Sequence, residues 1–308
     1  MPGWCLIESD PAVFTELIER FGARGVAVEE IIGLEPEFFK TYENVYGLIL
    51  LFKWKAGKSV ALDGVVVPDA PVYFAQQTVT NACATLAIVN TLLNHGDHIE
   101  LGDALTNLFS FTEGMNAHLR GTQVGECEVL RDAHNSFAPS EIFAMDAQMP
   151  DTSDVYHYSS FVYKNGSIWE LDGLQEGPIL AADATDSNYK EKLLEVVRKR
   201  IADKSGADRA GTGQGISFSL MAVVDDRVLQ LEKQINDLKA REAPTAYLEG
   251  QLTQLRAERE KGRMENERRR HNYIPMIVEL MKALAEKKKL NGIVAEVLNK
   301  TGQPSNNY

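Results

Sequence analysis

The dipeptide Asn165-Gly166, in the middle of residues 158–172, constrains the fold of this chain more than any other short feature. A two-residue type I′ turn needs positive φ at both central positions, which Asn and Gly tolerate best. We therefore predict a β-hairpin over residues 158–172. With a two-residue turn, Lys164 pairs with Ser167, and that pair sets every pairing further out.

This register decides which side chains share a face of the hairpin. Counted outwards from the turn, Ser159 lies opposite Asp172, and His157 lies opposite Leu174. Because side chains alternate between the two faces of a strand, His157 and Asp172 point to the same face. They are diagonal neighbours at about 7–8 Å between backbones, within reach of an imidazole and a carboxylate. A longer turn would break this arrangement.

Helix and strand signals are mixed through residues 1–226, which predicts one α/β (α+β) domain. The predicted elements are a helix begun by Asp10-Pro11 and ended by Gly22, a strand over 45–54 buried on both faces, a helix over 83–93, an amphipathic helix over 189–204 and a strand over 217–224. Residues 137–154 have weak periodicity and contain two prolines. They are long enough for a mobile active-site loop, and a plain surface loop is the alternative.

The composition changes at Val228, which predicts a second region over residues 227–308. Leucine and isoleucine recur at spacings of three and four on either side of Pro244, as in two paired helices. Residues 258–270 are almost wholly charged, and we expect a solvated helix there. An apolar stripe returns over residues 274–298. We expect this all-helical C-terminal extension to bind a partner or to regulate the first domain.

Charge and composition disfavour several functional classes. Residues 1–226 carry a net charge of −17 and residues 227–308 a net charge of +5, which together give −12. An acidic body repels nucleic acid and suits a basic partner, although acidity also serves solubility alone. Without a run of 18 apolar residues or a signal-peptide pattern, we expect no membrane association. Three cysteines that lie far apart in the sequence favour a reducing compartment. No two of them have the Cys-x-x-Cys spacing of a zinc site, so we expect neither a metal nor a cofactor.

Cys83 lies at the predicted start of the helix over residues 83–93. The helix dipole and the unpaired N–H groups of a first turn favour a thiolate over a thiol. Gln77, six residues upstream, has a side-chain N–H that can bind a developing oxyanion. The alternative is a buried cysteine that only fills space, which is the usual role of a lone cysteine.

The hairpin supplies the partners that a nucleophilic cysteine needs. His157 would take the proton from Cys83, and Asp172 would accept from one ring N–H of His157 and fix its orientation. Gln77 and the Cys83 backbone N–H would hold the oxyanion. An unrelated hairpin histidine remains the alternative. Cys5 and Cys127 lack this surrounding pattern and are interpreted as structural, and most of the other histidines are expected on the surface or hydrogen-bonded in the core.

These residues resemble the ubiquitin carboxyl-terminal hydrolases. The resemblance is carried by Gln77, residues 81–85, His157 and residues 170–174 (Glu-Leu-Asp-Gly-Leu). Further matches lie at residues 4–11 and 177–178. Residues 269–273 resemble the long, proteasome-associated branch of the family. Members are papain-like thiol proteases that cleave after the C-terminal glycine of ubiquitin through a thioester intermediate. The resemblance implies Cys83 as nucleophile, His157 as base, Asp172 as orienting residue and Gln77 as oxyanion donor, without a cofactor or metal.

The resemblance also implies features that no pattern in the chain predicts. The family's fold is knotted, with a central antiparallel sheet flanked by helices. Residues 137–154 would lie in the crossover loop that passes over the active site and limits which leaving groups enter. Ubiquitin and its conjugates would be the substrates, in the cytoplasm and nucleus.

The C-terminus departs from the long branch of the family. Members of that branch end in a lysine- and glutamate-rich tail associated with docking to a ubiquitin receptor of the proteasome regulatory particle, whereas residues 299–308 are mostly polar and uncharged. We therefore expect docking to use the stripe over residues 274–298. One alternative to an enzyme is a ubiquitin-binding scaffold with little turnover of its own. Another possibility is that the extension restrains the catalytic domain, in which case truncation near Val228 would speed turnover.

Overall fold

The computed structural model describes residues 3–54, 64–138, 155–206 and 218–301. Within these residues the strands are β1 Val26–Glu30, β2 Val45–Trp54, β3 Val65–Val66, β4 Val155–Lys164, β5 Ser167–Leu171, β6 Ile179–Asp183 and β7 Phe218–Asp225. They form one antiparallel sheet in the order β1-β7-β2-β4-β5-β6-β3.

The helices of the described residues lie on both sides of the sheet and continue into the C-terminal region. They are α1 Pro11–Phe21, α2 Pro36–Phe39, α3 Cys83–Leu93, α4 Gly102–Phe111, α5 Ala117–Glu126, α6 Glu128–Asn135, α7 Tyr189–Gly206, α8 Arg227–Ala240, α9 Ala246–Arg270, α10 Ile274–Glu286 and α11 Leu290–Thr301. The predicted α/β class with a central antiparallel sheet is confirmed. No helix among the described residues is long and apolar enough to cross a membrane.

The hairpin around Asn165-Gly166 has the predicted turn. Lys164 pairs with Ser167, and the same register continues to the pair Ser160 and Leu171. Asn165 and Gly166 have φ of 53° and 78°, the positive values that a type I′ turn requires. The two strands therefore enter the sheet in the predicted register.

The sheet separates two apolar layers, because its central strands alternate side chains between them. Ile49 of β2 packs in a layer with α1 and α3, whereas Leu48 and Leu50 pack in the layer that holds α7. α3 is buried on nearly all sides from Ala84 to Leu93, as expected for a helix in the centre of a domain. This burial holds the N-terminus of α3 at a defined place beside the sheet, since α3 also packs on β4.

The predicted pairing of the first two extension helices is present. α8 and α9 form an antiparallel hairpin around a small apolar cluster, in which Ile235 packs near Leu252. Asp226 begins α8 by accepting hydrogen bonds from the N–H groups of Val228 and Leu229, and it also pairs with Arg259 of α9. Because Asp226 directly follows β7, the last strand of the sheet is thereby tied to the extension.

The helix predicted over residues 258–270 is present, and one face of it is solvent-exposed as expected. The expectation of a solvated helix is wrong for the face that meets α1. This part of α9 lies along α1, and Asn266 is fully buried between the two helices. Arg269 pairs with Glu8 and Asp10, and Arg270 pairs with Glu16. The physical reason is charge complementarity over a long sequence separation, since the basic face of α9 neutralises the acidic N-terminal region.

The structure describes the beginning of the predicted loop over residues 137–154 and the last two helices, α10 and α11. Phe137 is buried in the core, and residues 139–154 of the predicted loop lie outside the described residues. α10 and α11 pack on each other, and no residue of α10, all of which is described, is buried. The predicted apolar stripe is therefore present and largely exposed.

We expect Asn266→Ala to lower the free energy of unfolding by about 1–2 kcal/mol. The Asn266 amide donates to Ala12 O at 3.0 Å and Glu16 Oε2 at 2.9 Å, and it accepts from Arg269 at 2.7 Å. Urea unfolding measures the loss. Gln254→Ala on the exposed part of α9 is the matched control, with a change within about 0.5 kcal/mol. Equal changes in the two variants would contradict the docking of α9 on α1.

Candidate active site

Cys83 is the first residue of α3, and the chain approaches it in an unusual conformation. Asn81 has a positive φ of 65°, which is uncommon outside glycine. Ala82, at the N-cap position, provides no side-chain hydrogen bond to the first turn. The first-turn N–H groups beside Cys83 therefore lack a capping side chain, and they favour negative charge there.

His157 and Asp172 meet as the hairpin register predicts. His157 Nε2 lies 2.6 Å from Asp172 Oδ1, and both side chains are buried, with exposed fractions of 4% and 6%. Asp172 follows the last residue of β5, and its Oδ1 also accepts from the Leu174 N–H at 3.0 Å. The carboxylate is thus fixed by the backbone before it orients the imidazole.

The Cys83 side chain is the other group that acts on the His157 imidazole. Because Asp172 occupies Nε2, Nδ1 is the ring nitrogen that remains for the thiol. Phe52 packs edge-on against the imidazole, with ring centroids 5.6 Å apart. The structure therefore brings together three of the residues that the sequence singled out, in the order thiol, imidazole and carboxylate.

The pKa of His157 reflects these neighbours. Burial alone lowers the pKa, since it disfavours the charged form. The hydrogen bonds to Asp172 and Cys83, and the Coulombic attraction of both groups, outweigh burial and raise the pKa of His157 to about 9. The environment favours an imidazolium, which is the partner that a thiolate needs.

Gln77 lies beside the carboxylate segment. Its backbone N–H donates to Gly173 O at 2.8 Å, and a Cβ at Gly173 would lie 3.1 Å from Gln77 Cβ. The side-chain amide donates one proton to Val79 O at 3.1 Å, while Oε1 is buried without a hydrogen bond in the described part of the chain. Gln77 therefore contacts the residue that follows Asp172, and the glycine at position 173 allows this close approach.

The loop that carries Gln77 packs against α5. The Gln76 N–H donates to Ala117 O at 2.9 Å, and its side chain donates to Gln175 O at 3.1 Å. A Cβ at Gly121 would come within 1.7 Å of Gln76 O, so only glycine permits this approach. Sequence reasoning missed Gly121, since nothing local distinguishes a glycine inside a helix that another segment touches.

A second buried carboxylate lies two residues before Asp172. Glu170 forms an ion pair with Arg200 of α7 and accepts a hydrogen bond from Ser159 at 3.2 Å. This cluster was also missed, because Arg200 is thirty residues away in sequence and follows no motif.

The other cysteines and histidines lie outside this arrangement. Cys5 and Cys127 are free thiols. His95 and His134 are buried and hydrogen-bonded, whereas the remaining three are exposed: His98, His118 and His271. The expectation for the histidines is confirmed. No group of three or more metal-binding side chains occurs among the residues with described positions.

Two protein-family models match the part of the chain that carries these residues and the helical extension. Residues 4–202 match the family model described as ubiquitin carboxyl-terminal hydrolase, family 1, and residues 250–290 match a second model described as ubiquitin carboxyl-terminal hydrolases. The chain belongs to the ubiquitin carboxyl-terminal hydrolase family. It is therefore a cysteine peptidase by family, and the predicted enzyme class is confirmed.

Individual relatives agree with this assignment over nearly the whole chain. Ubiquitin carboxyl-terminal hydrolase ubh-4 of Caenorhabditis elegans is 36% identical over 94% of this chain and 90% of its own length. The isozyme L5 of Dictyostelium discoideum is 33% identical over 98% and 97%. The crystal structure of Trichinella spiralis UCH37 bound to ubiquitin vinyl methyl ester superposes with a TM-score of 0.68 at 30% identity, covering 84% of this chain and 99% of that one. The prediction of a long family member with a C-terminal extension is confirmed.

We expect the imidazole of His157 to titrate near pH 9 and its midpoint to fall in Asp172→Asn, because the carboxylate favours the imidazolium. A folded-state pKa above the ordinary 6.5 means that this interaction stabilises the protein fully below about pH 6.5 and is lost as pH rises through about 9. NMR titration of the ring nitrogens measures the midpoint, with exposed His118 as internal control. An unchanged midpoint in Asp172→Asn would contradict the assignment.

Proposed function

We propose that this chain hydrolyses the bond after the C-terminal glycine of ubiquitin, with Cys83, His157 and Asp172 as its catalytic triad. The observation that carries the proposal is a series of thiol, imidazole and carboxylate. His157 is hydrogen-bonded to Asp172, and Cys83 at a helix N-terminus is the other group that acts on the imidazole. Such a series activates a nucleophile on many unrelated folds.

The chemistry follows from the position of each group. His157 accepts the Cys83 proton, and the thiolate attacks the carbonyl carbon of the glycine. The oxyanion lies between the Cys83 backbone N–H and the Gln77 amide, which has a second proton beyond the one donated to Val79 O. His157 then protonates the leaving amine, which leaves a thioester. Water, deprotonated by His157, hydrolyses the thioester and releases Cys83.

Asp172 keeps the imidazole in place throughout these steps. Its hydrogen bonds to His157 and to the Leu174 N–H leave little freedom for the ring to rotate. The carboxylate also stabilises the imidazolium that forms when Cys83 ionises. The net charge of −17 over residues 1–226 further supports a substrate with a basic C-terminal tail.

We expect Gln77→Ala to lower kcat on a ubiquitin C-terminal coumarin amide by about 10²–10³-fold, since it removes one oxyanion donor. Gln76→Ala is the matched control, because the neighbouring glutamine donates instead to Gln175 O. Steady-state kinetics should show a change within about threefold for that control. Equal losses in the two variants would remove Gln77 from the oxyanion site.

A ubiquitin-binding scaffold is the competing hypothesis, and a covalent probe separates the two. Ubiquitin vinyl methyl ester, which forms a complex with the Trichinella spiralis relative, should label the wild-type chain within minutes and leave Cys83→Ala unlabelled. Intact-mass spectrometry reads the adduct. Binding of ubiquitin without an adduct at Cys83 would favour the scaffold. A Cys83→Ala variant that hydrolyses the coumarin amide at the wild-type rate would instead refute Cys83 as the nucleophile.

We further propose that the helical extension docks this enzyme on a ubiquitin receptor of the proteasome regulatory particle, in the cytoplasm and nucleus. Support comes from the exposed apolar residues of α10, with exposed fractions of 59% for Met276, 56% for Leu280 and 47% for Met281. Apolar side chains exposed together on one helix are typical of an interaction surface. The three free thiols agree with a reducing compartment.

We expect the double variant Leu280→Glu/Met281→Glu to weaken binding to the purified regulatory particle at least about tenfold. The reason is that two charges would replace apolar side chains that become buried when the extension docks. Lys282→Glu, which also adds negative charge to α10, is the control and should bind within about threefold. Co-sedimentation measures both. Equal binding by the double variant and the wild-type chain would overturn the docking proposal and leave the catalytic one intact.

A further inference from the structure

The N-terminal segment Gly3–Cys5 lies across the beginning of α3. Asn135, the last residue of α6, accepts from the Cys5 N–H at 3.1 Å and donates to Gly3 O at 2.9 Å. Trp4 is buried and donates from its indole to Gly125 O at 3.2 Å. The segment is therefore fixed by helices α5 and α6 rather than by a regular strand.

Two carbonyl groups of this segment hold the residues on either side of the nucleophile. The Asn81 side chain, two residues before Cys83, donates to Trp4 O at 3.0 Å. Thr85, two residues after Cys83, is connected to Cys5 O through the ring of His134. The turn that carries Cys83 is thus attached to the N-terminal segment at both ends.

The protonation of the His134 ring follows from its partners. Nε2 lies 2.7 Å from Cys5 O, which only accepts, so Nε2 carries a proton. Nδ1 lies 2.8 Å from Thr85 Oγ1. Burial lowers the pKa of His134, although the hydrogen bond to Cys5 opposes this effect. The ring is therefore neutral, and the Thr85 hydroxyl donates to Nδ1.

Packing makes this connection rigid. Thr85 and His134 are both fully buried, and the Trp4 ring meets the His134 ring edge-on with centroids 4.9 Å apart. Removal of the Thr85 hydroxyl would leave the buried His134 Nδ1 without a hydrogen-bond partner, which would lower the stability of the protein. The first turn of α3 consequently has one favourable position relative to the N-terminal segment.

We propose that Thr85 and His134 are positioning residues for Cys83, which hold the first turn of α3 at the distance from His157 that the reaction needs. The inference rests on the proposed function, because it gives Cys83 the role of nucleophile. Small displacements of a reacting group are expensive, since about 1 Å can cost 10²-fold in rate. Both side chains are fully buried, so neither contacts the substrate.

Thr85→Val tests the proposal, since it removes the hydroxyl and keeps the shape. We expect kcat on the ubiquitin coumarin amide to fall at least about tenfold with KM within about twofold, as for a defect in the chemical step. Thr85→Ser should restore activity to within about threefold. The matched control is Thr91→Val in the same helix, where an equally buried hydroxyl donates only to Ala87 O at 2.8 Å.

A second readout needs no ubiquitin. The rate of iodoacetamide alkylation at Cys83 at neutral pH, corrected with the matching Cys83→Ser variant for Cys5 and Cys127, reports the reactivity of the thiol in its surroundings. We expect this alkylation rate to fall in Thr85→Val and to stay unchanged in Thr91→Val, with similar losses of unfolding free energy. Equal kcat and alkylation rates for the two valine variants would overturn the proposal.

His134→Gln provides an independent variant if Thr85→Val fails to fold. The glutamine amide can still donate to Cys5 O but offers Thr85 no ring nitrogen, so the same fall in kcat is expected. Wild-type kinetics and alkylation in His134→Gln would overturn the proposal. A wild-type chain inactive on ubiquitin would overturn the proposed function instead, while the alkylation comparison would still decide the role of Thr85.

Discussion

The hydrogen bond between His157 and Asp172 depends on the pairing of β4 with β5, and the pairing depends on a turn that only a few residues allow. A shift of one residue would place the two side chains on opposite faces. Positive φ at Asn165 and Gly166 prevents that shift by fixing a two-residue turn. Local backbone preference thus determines a contact between residues fifteen positions apart, and α3 adds Cys83 to the pair by packing on the same strand.

Features with a local cause could be predicted from the sequence, whereas features that depend on long-range packing could not. The turn, the start of α3 and the shared face of the imidazole and carboxylate follow from spacing alone. The ion pair of Glu170 with Arg200, and the close approach of Gly121 to Gln76, join segments that carry no common pattern. The functional roles needed the family resemblance, because a cysteine at a helix start is compatible with simple packing.

The charge pattern of residues 258–270 predicts a solvated helix, and this prediction holds for one face of the helix only. Residues 258–270 are nearly all charged, and such a run is usually solvated. Here the acidic residues of α1 and of the segment before it provide partners, so that Arg269 and Arg270 are bound and Asn266 is buried. The boundary near residue 226 is therefore a change of composition rather than a break in packing. Truncation near Val228 would uncover α1, and faster turnover of such a fragment would not by itself demonstrate restraint.

The buried imidazole of His157 depends on the charges around it. An imidazolium in a buried position is unstable unless negative groups are fixed next to it. Asp172 meets this requirement because the backbone N–H of Leu174 holds its carboxylate, and Cys83 at the N-terminus of α3 is the second group that acts on the imidazole. Both groups must be held at short range for the pKa of His157 to remain above its usual value. The segments that fix Cys83 and Asp172 are therefore part of the electrostatic design of the site, although they touch neither the substrate nor the reacting bond.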